Sequence, residues 1–194
     1  MPLVARGFLL LAALALLGLV PAPARDAMVS AAAVRIDRAC AADVDRALRG
    51  EPRTFARIYG ARTDSDWHPL SAAVKRRIAR DPDIYSEVAK AWRVDDKVVL
   101  VVISSRSLEL RAEATYCFRR SGTLARVEES SSGAEVRDDE ARYFDERGGL
   151  VARRSKFYPY SPQVVATVSP VFKPSTPTLY LTVRALPFLK YLLD

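Results

Sequence analysis

Leu108, Leu110, Ala112, Ala114, Tyr116 and Phe118 alternate along the chain with Glu109, Arg111, Glu113, Thr115, Cys117 and Arg119. Successive side chains of an extended backbone point to opposite faces, so this run predicts a strand with one dry and one wet side. Such a strand needs partners, and the neighbouring residues supply them. Val98 to Ile103 is an unbroken apolar run, which in a strand means that both faces are covered and that the strand is central in its sheet. Asp95-Asp96 separates two strand-like runs, and Phe118-Arg-Arg-Ser-Gly122-Thr-Leu124 recurs as Phe144-Asp-Glu-Arg-Gly148-Gly-Leu150. In both segments Gly suits the left-handed position that closes a type I turn with a bulge. An antiparallel meander of about five or six strands is therefore expected over residues 85–158.

The flanking segments have a different texture. Val29, Ala33, Ile36, Cys40, Val44, Ala47 and Leu48 recur at three- and four-residue spacing, the stripe of an amphipathic helix that Gly50 and Pro52 end. A short turn around Phe55, Ile58 and Tyr59 is expected next, then a second amphipathic helix through Trp67, Leu70, Val74 and Ile78, stopped by Asp81-Pro82-Asp83. After Tyr158 come six of the 12 prolines. Proline removes a ladder donor, so residues 159–194 cannot supply central strands. Their leucines, valines and phenylalanines still predict an ordered tail that wraps the sheet and docks Leu186 to Leu193 as a short helix. The expected class is thus α+β: N-terminal helices over 25–84 packed on the dry face of a twisted antiparallel meander, with a Pro-rich C-terminal tail wrapping the other face. A helix on a curled sheet is similar in plan to cystatin-like and ketosteroid-isomerase-like domains. The Phe144 to Leu150 segment also resembles the turn of tyrosine-aspartate repeats in large secreted shells, but two copies are too few to build one.

The N-terminus speaks to location. Gly7 to Val20 is an uncharged, dense apolar stretch behind Arg6, and Ala22 and Ala24 set a small-x-small pattern before Arg25. The stretch is shorter than the roughly 20 residues that span a bilayer and suits a signal peptide over residues 1–24. An exported protein, periplasmic or secreted, with no transmembrane span after cleavage is the expectation; an uncleaved anchor is the rival. Cys40 and Cys117 form an even pair in such a chain, which points to a disulfide. However, Cys117 lies in the wet register of its strand, so a helix laid on the dry face leaves the sulfurs on opposite sides unless a bulge near Tyr116 intervenes. Two small buried thiols are the alternative.

Charge is segregated. The formal net charge is +7, and after Glu146 the bases Arg147, Arg153, Arg154, Lys156, Lys173, Arg184 and Lys190 face the single acid Asp194. Arg147, Arg153, Arg154 and Lys156 are candidate anion contacts, with an anionic envelope polymer as the partner they suit. The bases are not interleaved with aromatics, so nucleic acid is not expected. Chemistry-bearing residues are few. Asp64, Asp66 and the sole histidine, His68, are weak candidates for a base with its orienting carboxylate, while Asp66 also suits a helix N-cap. One His and two distant Cys do not make a zinc site, and no Gly-x-Ser-x-Gly elbow occurs. The acid pairs Asp95-Asp96, Glu128-Glu129 and Asp138-Asp139-Glu140 are read at turns or strand ends, and Ser130-Ser131-Ser132 as a loop. No cofactor is expected. The leading expectation is a non-catalytic domain that binds a protein or small-molecule ligand outside the cytoplasm. The alternative is a small pocket enzyme or lipid-type carrier that uses Asp64, Asp66 or His68 between helix and sheet.

Overall fold

Residues 22–59, 66–80, 86–106, 111–133, 136–159 and 178–193 are described in a computed structural model. From Arg111 onward the alternating run is a strand there: Ala114, Tyr116 and Phe118 are buried, while Arg111 and Glu113 are exposed, and Leu108 to Leu110 lie outside the described residues. The strands are β1 (Arg53–Ile58), β2 (His68–Pro69), β3 (Ser86–Val94), β4 (Lys97–Arg106), β5 (Arg111–Phe118), β6 (Leu124–Ser132), β7 (Val136–Phe144) and β8 (Leu150–Pro159). They form one antiparallel sheet in the order β2-β1-β3-β4-β5-β6-β7-β8. With the helices α1 (Ala22–Ala47) and α2 (Ala72–Arg80), the chain is mixed α+β.

Eight strands replace the expected five or six. The meander supplies β3 to β8, and the two extra strands come from the segment read as helical. Residues around Phe55, expected to turn, pair with β3 in register Phe55↔Ala89, because a strand can place the Phe55 ring in the core at 2% exposure. His68–Pro69 pairs with β1, so the second helix starts later than expected and excludes Trp67. Its N-terminal acceptor is the Ser71 hydroxyl, which takes a bond from the Val74 amide at 3.3 Å; Asp66 is not the cap.

The turns follow the punctuation. Asp95 and Asp96 adopt φ of 49° and 61°, the left-handed pair of a two-residue hairpin. Gly122 and Gly148 have φ of 85° and 84°, and their amides reach back to the Arg119 and Asp145 carbonyls at 2.8 and 3.2 Å. A register shift accompanies each turn, at Cys117/Phe118 and at Tyr143/Phe144.

The covering layers are the reverse of expectation. Tyr116, Phe118, Val101, Val127 and Phe144 belong to one cluster with Leu186, Phe188 and Leu192 of the C-terminal segment. Phe188 stacks on Phe55 with centroids 4.8 Å apart and meets Trp67 edge-on at 5.1 Å. The opposite face carries the α1 contacts: Ala33 with Tyr143 and Ala152, Cys40 with Cys117 and Ala125, and Ala47 with Val99 and Leu100. Small residues every seventh position let a helix approach a sheet closely, whereas the aromatic side needs large side chains to fill it. β4 is dry on both faces as the apolar run requires. A bulge at Trp92/Arg93 leaves Val98 and Val101 in the aromatic cluster and turns Val99 and Leu100 to α1. The expected terminal helix is instead two 3-10 turns, Val183–Ala185 and Leu189–Tyr191, because Pro187 supplies no amide donor for a longer helix. The apolar stretch Gly7–Val20 and residues 160–177 lie outside the described residues. Among those described, no helix is long and apolar enough to cross a membrane.

Candidate functional site

Cys40 and Cys117 are joined in a disulfide with Cα atoms 6.0 Å apart, and each is 2% exposed. The bond pins the middle of α1 to β5. Around it, Asp37 of α1 reaches three sheet residues: its carboxylate accepts from Arg126 at 2.8 Å, from the Tyr143 hydroxyl at 3.2 Å and from Arg154 at 3.5 Å. Burial raises the Tyr143 phenol above its ordinary value, and the facing Asp37 charge adds to that.

Beyond α1, on the same face, β5 to β8 leave an open groove of about 550 Å³. Its charged residues are Glu113, Glu128, Asp139, Arg137, Arg154 and Lys156, together with Glu129 and Glu140, whose carboxylates pair with Arg142, and Thr115, Ser130 and Tyr158 lie among them. The alternation places them together, since Glu113↔Ser130, Ser130↔Asp139 and Asp139↔Lys156 lie side by side across four strands. The charges are largely satisfied within the protein. Arg137 bonds Asp139 at 2.9 Å, Ser104 donates to Glu113 at 3.0 Å, and Arg126 pairs with Glu128 at 3.3 Å. Partial burial would raise the Asp139 carboxyl, but hydrogen bonds from Arg137 and Ser130 outweigh it and hold the group below its ordinary value. Lys156 and Arg137 lie 4.6 and 5.8 Å from the Tyr158 ring centroid.

The four basic candidates do not make one patch. Arg154 and Lys156 line the groove. Arg153 is directed to the other face by register and bonds Glu140 at 2.6 Å. Arg147 is exposed in the β7–β8 turn, where its amide bonds Asp145 at 2.8 Å. Asp64 lies outside the described residues. Asp66 and His68 are exposed beside and on the short edge strand β2, and neither lines the groove or the second cavity described below.

The acid pairs read at strand ends are corrected. Glu128-Glu129 sits inside β6 and Asp138-Asp139-Glu140 inside β7, and the three serines finish β6. Glu129 and Glu140 share Arg142, on the face covered by the C-terminal segment. Burial raises the Glu129 carboxyl even though Arg142 opposes the shift. On the same face Glu87 accepts from Arg57, from the Tyr59 hydroxyl at 2.9 Å and from Ser105 at 3.3 Å. Sequence spacing gives no sign of these pairs, because they join residues on neighbouring strands. Asp95-Asp96 is at a turn as read.

A second cavity, of about 610 Å³, opens at the end of the sheet between the β3–β4 turn, the β5–β6 turn and the C-terminal segment. Among the described residues no three His, Cys, Asp or Glu converge to hold a metal ion. Comparison with protein-family models, curated proteins and solved structures finds no significant match.

Proposed function

We propose that this chain is an exported, non-catalytic binding domain whose groove across β5 to β8 receives a neutral, hydroxyl-rich ligand of the oligosaccharide class. The observation that carries the reading is the groove floor. Carboxylates from β5, β6 and β7 accept while guanidinium and ammonium groups from β7 and β8 donate, with hydroxyls among them, and sugar hydroxyls need both partners at once. The lining carries more carboxylates than bases, and Arg137 and Arg154 already pair with Asp139 and Asp37, so no excess of positive charge remains for a polyanion. This favours a neutral glycan over an anionic envelope polymer. The volume falls in the range of small-molecule sites. Export is supported by the apolar Gly7 to Val20 stretch and by the Cys40–Cys117 bond, since disulfides persist in oxidising compartments.

The test is an amide-shift titration of the oxidised protein with an N-acetylglucosamine hexamer, in low salt and in 0.5 M salt. Saturable shifts at Thr115, Ser130 and Lys156 that survive high salt are expected. Shifts only with heparin, lost at 0.5 M salt, or no shifts at these residues, overturn the proposal. For export, mass spectrometry of the protein from an expressing bacterium is expected to find it outside the cytoplasm, starting at Arg25 and two hydrogens lighter than the dithiol. A reduced, cytoplasmic, full-length chain refutes that part.

A further inference from the structure

We infer that the cavity at the end of the sheet is a separate binding site for a single-chain amphiphile with an anionic head group. Its floor is apolar: Val98, Val183, Leu189, Leu192 and Leu193 line it. Its rim is cationic, with Arg93, Lys97, Arg120 and Arg184 against the one acid Asp96. Two of these cations are engaged. Arg93 bonds the Asp96 carboxylate at 3.0 Å, and Arg120 pairs with Asp95 at 3.0 Å. Lys97 and Arg184 have no ion pair among the described residues and are exposed. A site with unbalanced positive charge beside an apolar floor matches a ligand in which an anion is joined to a hydrocarbon tail.

The cavity walls are tied in place. The Val183 amide donates to the Gly122 carbonyl at 2.8 Å and the Leu124 amide to the Leu181 carbonyl at 2.9 Å. Thr123 and Thr182 form an isolated antiparallel bridge. These bonds hold the C-terminal segment against the β5–β6 turn, so the cavity belongs to the fold. Leu192 is 1% exposed while its neighbour Leu193 is 76% exposed. An uncovered leucine beside a cavity is surface that a hydrocarbon tail removes from water. A small inorganic anion would leave the leucines wet, and a neutral lipid would leave Lys97 and Arg184 unanswered.

Isothermal calorimetry with dodecanoate below its micellar concentration tests the site, with dodecyl maltoside, acetate and phosphatidylglycerol vesicles as comparison probes. The expected result is saturable binding of one dodecanoate per chain, with acetate failing to bind and dodecyl maltoside weaker by about tenfold or more. The exposed-site double variant Lys97→Glu/Arg184→Glu is expected to lower dodecanoate affinity at least about tenfold. Leu193→Ser is expected to weaken it while leaving its salt dependence unchanged. Both variants alter exposed side chains, and an unchanged circular dichroism spectrum verifies the fold. Equal binding of maltoside and dodecanoate overturns the charge recognition. Vesicle binding without dodecanoate binding shows a membrane-docking surface and overturns the cavity site, as does absence of all binding. The oligosaccharide titration reports on residues of the other face, so the two proposals fail separately.

Discussion

Asp37 on α1 and Arg126 on β6 are joined by a 2.8 Å hydrogen bond, and the second oxygen of the same carboxylate accepts from Tyr143 on β7. With Arg154 of β8 also reaching it at 3.5 Å, one acid on the helix holds three strands, three residues before the cysteine that is covalently tied to β5. Arg126 is mostly shielded, with its side chain 15% exposed. Asp37→Ala removes the partner of a half-buried guanidinium and leaves it one weaker contact, to Glu128. A loss of about 1–3 kcal/mol is expected. Urea denaturation checks it, read as a lower midpoint with an unchanged slope.

Cys40 and Cys117 are separated by 77 residues in sequence. Closing so long a loop restricts the unfolded chain strongly, and Cys40→Ala/Cys117→Ala is expected to lower stability by about 2–5 kcal/mol. Both thiol sites are buried in a small apolar cluster, which alanine can still fill in part. Denaturation of the oxidised protein, the reduced protein and the variant measures the loss, and the latter two are expected to agree.

Tyr116 is fully buried and its hydroxyl donates to the Thr178 carbonyl at 2.8 Å. Burial raises its phenol far above the ordinary 10.0, with the neighbouring Tyr180 adding to the rise. Above pH 10 the unfolded tyrosine loses its proton while the folded one keeps it, so the folded state binds more protons. Stability is therefore fully present below pH 10 and falls as pH rises, by about 1.4 kcal/mol per pH unit for one such group. Tyr116→Phe loses the hydrogen bond but flattens this alkaline decline. Stability measured at intervals from pH 8 to 11.5 checks it: a decline equally steep in the variant counts against Tyr116 as its source. Tyr180 and Tyr143, also raised by burial, keep part of the slope.

Gly122 sits at φ 85° in the β5–β6 turn. A side chain there is strained by the backbone even though its nearest neighbour would be Val183 at an ordinary 3.9 Å. Gly122→Ala is expected to cost about 1–2 kcal/mol. Gly50, which has no positive φ and meets only the Ala47 carbonyl at 3.5 Å, provides the control. Gly50→Ala is expected to stay within about 0.5 kcal/mol of the parent in the same thermal melts.

The strand pattern was readable in the residues themselves. Alternation from Ala112 to Phe118, the apolar run at Val98, the Asp95-Asp96 turn and the paired Gly122 and Gly148 turns are all local signals. They mark the meander from β3 to β8 because strand periodicity and turn chemistry act over a few residues. The choice of cover is non-local. Alternation says that Tyr116 and Phe118 are dry, but both the α1 stripe and the leucines near Phe188 are apolar enough to lie on them. Size decides: Ala33, Cys40 and Ala47 do not fill an aromatic face, whereas Phe188 reaches Phe55 and Trp67. The spacing of Trp67 fits a helix, and the pull of this core overrides that spacing.

The groove was legible in part. Arg154 and Lys156 share a strand face by parity, and parity alone separates them from Arg153, a signal that a tally of positive charges passes over. The acid beside them is hidden, since Asp139 meets Lys156 across neighbouring strands at a separation no linear motif records. His68 drew attention for its side chain, yet the backbone of His68 and Pro69 gives this stretch its place, adding a short edge strand beside β1.

The aromatic core takes residues from both halves of the chain, joining Phe55 to Phe188 and Leu192. A growing polypeptide that has not yet reached Leu192 holds Tyr116, Phe118 and Phe144 without the full cover that, among the described residues, Leu186, Phe188 and Leu192 give them. Maturation of this protein must therefore wait for translation to pass that point, and a nascent chain stalled earlier presents an open, sticky sheet to whatever chaperone is at hand.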